Sequence, residues 1–92
     1  MDDDKLRARI CADVIQLLKE ERMRQGISMK QLARMCGLTQ PAISLLESRP
    51  RNPKLDTLLR MSRALGVELG KILLRASKTS QQMATKSEPP KP

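Results

Sequence analysis

Residues Ser28–Glu47, SMKQLARMCGLTQPAISLLE, decide how the rest of the chain is read. They read as two short helices joined by a tight turn. Ser28 with Gln31 forms a capping box: the hydroxyl accepts an early backbone N–H and the Gln side chain reaches back to the cap. Ile27 and Leu32 are placed to close a hydrophobic staple over that start. Leu38, Thr39 and Ile43 repeat the device for the next helix, with Thr39 or Gln40 as the cap. Pro41 falls in the first turn, where its missing N–H costs nothing, and it disfavours helical geometry at Gln40. Between the helices, Gly37 stands where a left-handed residue ends a helix.

Outward from this stretch, an amphipathic helix is expected from Lys5 to Arg24, with Leu6, Ile10, Val14, Leu17 and Leu18 as its apolar stripe. Before it, residues 1–4 read as a disordered acidic start, with Asp favoured there by the helix dipole. The prolines of Ser48–Lys54 mark a loop. Leu55, Leu58, Leu59, Ser62 and Leu65 mark a fourth helix, closed by Gly66 with Val67 packing back. A short fifth helix is expected over Glu68–Leu74, with Leu69, Ile72 and Leu73 inward. Residues 77–92 are polar, with almost nothing to bury, and read as a disordered tail. The expected domain is residues 5–76.

The chain has 92 residues, enough for one small domain. It carries 18 Lys+Arg against 10 Asp+Glu, a net charge of +8, which points to an anionic partner. Phe, Tyr and Trp are absent, which counts against single-stranded nucleic acid, where bases stack on rings. Duplex DNA read by a helix needs no aromatic. Cys11 and Cys36 lack metal-ligand spacing and there is no His, so no metal site or cofactor is implied. The same absences, with no phosphate-cradling glycine loop, argue against an enzyme, and no small-molecule ligand is evident. No apolar run approaches the roughly 18 residues of a membrane span, so a cytoplasmic location without membrane contact is expected.

The pattern resembles the Xre/Cro-type, lambda-repressor-like helix-turn-helix family. The resemblance runs from about Val14 to Leu74 and rests on correctly spaced residues: Arg22, Gly26, Ser28, Leu32-Ala33, Gly37, Thr39-Gln40, Ile43-Ser44, Glu47, Asn52-Pro53 and Ala64-Leu65-Gly66-Val67. It implies an all-α, five-helix bundle with a central helix-turn-helix, here with an extended first helix. It also implies a partly buried ion pair between Arg22 and Glu47. Family members usually carry Gly at the position of Arg49 and often Gln at that of Met29, so this chain departs from the pattern twice.

The expected function is sequence-specific binding of double-stranded DNA by a transcriptional regulator, as a homodimer on a palindromic operator. The helix 40–48 would enter the major groove, with Gln40, Pro41, Ser44 and Leu45 toward base edges. Gln40 is the best reader, because its amide can pair with adenine N6 and N7. Phosphates would be held by the backbone N–H of Met29 and by Thr39, Arg49, Arg51, Asn52 and Lys54. Leu6, Ile10 and Leu74 are the candidate dimer residues. The rival reading is a protein-interaction or antitoxin-like module built on the same bundle.

Overall fold

Helix starts and stops follow from local chemistry. In a computed structural model, which describes residues 3–84, five helices are seen: α1 (Asp3–Arg24), α2 (Met29–Cys36), α3 (Gln40–Ser48), α4 (Leu55–Leu65) and α5 (Leu69–Ala84). There is no strand among the described residues. At the start of α2, Ser28 Oγ accepts from the Gln31 N–H at 3.1 Å and Gln31 Oε1 accepts from the Ser28 N–H at 2.8 Å. The helix ends at Gly37, whose φ of 70° lets the Leu38 N–H turn back to the Ala33 carbonyl at 2.8 Å. Gly66, with φ 72°, closes α4 in the same way. Between α2 and α3 the cap is Thr39, whose Oγ1 accepts from the Ala42 N–H at 3.2 Å. Gln40 is thus the first helical residue rather than the cap.

Without aromatic rings, the core is built from aliphatic side chains and one thiol. Val14, Ile15 and Leu18 of α1 meet Leu32, Ala33 and Cys36 of α2 and Ile43 of α3. Leu58, Met61 and Leu65 of α4 and Leu69, Ile72 and Ala76 of α5 complete it. Burial pushes the Cys36 thiol up from its ordinary value.

Several expectations are corrected. α1 begins at Asp3, so Asp3 and Asp4 are helical rather than a disordered start; both carboxylates sit in the first turn, where the dipole favours them. The expectation for Met1 and Asp2 lies outside the described residues. α5 does not end at Leu74, and the chain from Ser77 to Ala84 is helical rather than a disordered tail. The reason is packing: α5 lies along α1, with Ile72 beside Leu17 and Glu20, and Ala76 and Thr79 beside Asp13 and Gln16. The two helices therefore run antiparallel, and Ala76 is fully buried between them. The tail expectation for residues 85–92 lies outside the described residues. On α5, Leu73 faces solvent; on α4, Leu55 and Leu59 are exposed while Met61 is buried. On α1, Ile15 is buried and Leu17 is only half-buried. Ile10 packs against the core within the same chain.

Candidate nucleic-acid interface

α3 is held by its two ends. Thr39 caps the first, and Glu47 ties the last turn to α1. Arg22 Nε donates to Glu47 Oε2 at 2.8 Å, and Nη2 donates to Oε1 at 2.9 Å. The third guanidinium nitrogen, Nη1, donates to the Ile27 carbonyl at 2.8 Å. One side chain therefore joins α1, the α1–α2 turn and α3. The inward residues of α3 are Ile43, fully buried, and Leu46, packed on the core.

With that face occupied, Gln40, Pro41, Ser44, Leu45 and Ser48 are turned to solvent. They lie along one side of the helix, in the order expected for an edge that enters a groove. Ser48 is partly committed, because its hydroxyl donates to the Ser44 carbonyl at 2.8 Å. Leu45 is 59% exposed, one helical turn from Pro41.

The α3–α4 loop supplies cations. Arg49, Arg51, Asn52 and Lys54 are all exposed, and no acidic residue lies among them. Arg49 ends α3 with φ −137°, so the helix stops without the left-handed glycine usual in the resemblance. The left-handed residue comes later, at Asn52, where φ is 41°. Asparagine tolerates that conformation better than most residues, which explains how the loop turns without glycine. Arg51 borders two concavities. On one side it lies with Leu45, Leu46 and Arg49; on the other it faces the first turns of α1.

At the start of α2, the Met29 side chain packs on the core, which leaves its first-turn amide as the group facing outward chemistry. Lys30 and Arg34 are exposed.

Residues that the sequence does not signal hold the ends of the other helices. Arg60 Nη1 donates to the Cys36 carbonyl at 3.1 Å, closing α2 from α4, while its Nε donates to Asp56 at 2.9 Å. Gln25 Nε2 donates to the Leu65 carbonyl at 2.7 Å, closing α4 from the end of α1. Both join residues far apart in sequence, so no local pattern reveals them. Among the described residues no group of His, Cys, Asp or Glu is arranged to hold a metal ion. No helix among them is long and apolar enough to cross a membrane.

A family model described as Helix-turn-helix matches residues 18–72. An uncharacterized HTH-type transcriptional regulator of Haemophilus influenzae is 41% identical over 64 residues, covering 66% of this chain and 65% of that protein. The HTH-type transcriptional regulator PuuR of Escherichia coli is 32% identical over 64 residues, covering 70% of this chain and 35% of that protein. PuuR of Shigella flexneri matches to the same extent. The chain thus spans less than two thirds of each relative's length. No solved structure matches it.

Proposed function

Because the chain belongs to the Xre and lambda-repressor-like helix-turn-helix family, we propose that it is the DNA-binding unit of a transcriptional regulator and acts as a homodimer on a palindromic operator. The observation that carries this reading is the pairing of two surfaces. The outward edge of α3, fixed through Arg22 and Glu47, adjoins a loop of exposed cations with no acid. Gln40 is the first residue of α3, and in this reading its amide pairs with a base edge. Ser44 bonds several bases and specifies weakly, and Pro41 and Leu45 offer apolar contact to a thymine methyl. The Met29 amide, Thr39, Arg49, Arg51, Asn52 and Lys54 hold phosphates and set the register of α3 in the groove.

One short helix contacts few base pairs, so useful specificity calls for two copies related by a two-fold axis. Their half-sites would lie about one DNA turn apart, on the order of 10 bp. Of the three candidate dimer residues, Ile10 is packed within its own chain and Leu6 is half-buried, whereas Leu74 is 56% exposed. The dimer surface is therefore assigned to the outer side of α5.

Exposed Leu45, Leu55, Leu59 and Leu74 favour a second reading, a protein-interaction module. Selection from pooled random duplexes separates the two. DNA reading yields an enriched, two-fold symmetric sequence and a protein that sediments as a dimer on it. Recovery of no sequence preference would sink it.

A further inference from the structure

α1 extends well before the family-matched segment, which begins at residue 18. Its first turns do not project into solvent alone. They face the α3–α4 loop across a groove of about 550 Å³ bordered by Asp4, Arg7, Ile10, Cys11, Arg51 and Asn52. Ile10 and Cys11 are half-buried and give the groove an apolar wall. Arg7, Arg51 and the Asn52 amide are hydrogen-bond donors on its rim. The one acid on that rim among the described residues, Asp4, is paired with Arg7.

Resting on the DNA-binding reading above, we propose that this groove is a further backbone site, in which Arg7 and Arg51 hold a DNA phosphate outside the segment read by α3. Continuity of the surface supports it. Arg51 belongs both to this groove and to the concavity formed with Leu45, Leu46 and Arg49 on α3. A strand held by Arg49 and Arg51 therefore borders the groove that Arg7 also lines. Two planar guanidinium groups bordering one groove suit a phosphate, which accepts from several donors at once. The Arg7 side chain is 75% exposed and that of Asp4 84% exposed, so their ion pair is weak and open to exchange. Asp4 then acts as a competitor: its carboxylate occupies the guanidinium that DNA would take.

The test uses the full chain and a mixed-sequence duplex of about 30 bp, because phosphate contacts are independent of sequence. Arg7→Ala should weaken binding about five- to tenfold near 0.1 M salt and lower the slope of log affinity against log salt by about one unit. Asp4→Asn should tighten binding about two- to threefold, the size expected for releasing an exposed pair. In the Arg7→Ala background, Asp4→Asn should change nothing. A second readout is alkylation of Cys11, which borders the groove while Cys36 is buried in the core. Saturating duplex should slow it in the parent chain.

An unchanged salt slope in Arg7→Ala, with Arg51→Ala showing its expected loss, would overturn the groove site and leave the DNA reading intact. Equal tightening by Asp4→Asn in both backgrounds would reduce the effect to net charge and overturn it as well. So would Cys11 alkylation indifferent to duplex. A parent chain with no affinity for duplex would remove both readings together.

Discussion

Arg22 and Glu47 lie 25 positions apart and meet in two parallel hydrogen bonds of 2.8 and 2.9 Å, with the carboxylate side chain only 2% exposed. A desolvated carboxylate held by a guanidinium fork is strong only while both partners are present. Glu47→Ala strands a guanidinium at the α1–α3 junction and should cost about 3 kcal/mol of stability. Arg22→Ala should cost a similar amount, and the double variant less than the sum. Denaturant melts of the three variants check this. Small, additive losses would show that the pair does not hold α3.

Base and phosphate contacts should separate in binding measurements. Gln40→Ala removes an amide that pairs with a base and should cost about 1–3 kcal/mol on the selected operator while sparing scrambled duplex. Lys54→Ala should weaken both duplexes alike and reduce the salt slope by about one unit, because a lysine on a phosphate releases counterions whatever the sequence and the variant loses that release. Equal loss on both duplexes for Gln40→Ala would mean that α3 does not read bases.

The last turns of α5 should matter for folding. Ala76 is fully buried against α1, so Ala76→Leu forces extra volume into a closed site and should cost about 1–3 kcal/mol. That corresponds to a fall in Tm of at least about 4 °C for a domain of this size. Removing the chain from Ser77 onward should also lower Tm, because that segment continues the α5 helix begun on α1. An unchanged Tm after truncation would show that the segment from Ser77 to Ala84 adds nothing to the fold.

Acid should weaken one surface network. The Glu21 carboxyl is held down from 4.5 to about 2, chiefly by its hydrogen bonds from Arg24 and then from Gln25. A carboxyl whose folded value lies below its unfolded value favours the folded state once ionised. Its contribution is therefore complete above about pH 4.5 and is lost as pH falls toward about 2. Glu21→Gln should flatten the dependence of stability on pH across that window, modestly because Arg24 is exposed and solvent screens the pair. Identical pH profiles for parent and variant would contradict this.

Elements set by neighbouring residues were legible in the sequence. The box of Ser28 and Gln31 and the stops at Gly37 and Gly66 depend on groups within one helical turn, so residue type and spacing determine them. The outward edge of α3 was legible for the same reason, since Ile43 and Leu46 take the inner side and leave Gln40, Ser44 and Leu45 outside. The start of α3 was only half-determined, because Thr39 and Gln40 both satisfy the local rules; the hydrogen bond to Ala42 selects Thr39.

Tertiary packing decided the rest. Periodicity marks an apolar stripe but not which flank of it meets a neighbour, so Leu55, Leu59 and Leu73 face solvent while Met61 and Ala76 are buried. Composition from Ser77 onward argues against structure. That segment is nevertheless helical to Ala84, and α1 lies beside it as far as Thr79. A helix of marginal propensity forms where a second helix covers it, and that cover is supplied by residues more than fifty positions away. The groove that Arg7 and Arg51 both border has the same origin: only the direction of α1 relative to the α3–α4 loop makes them line one concavity.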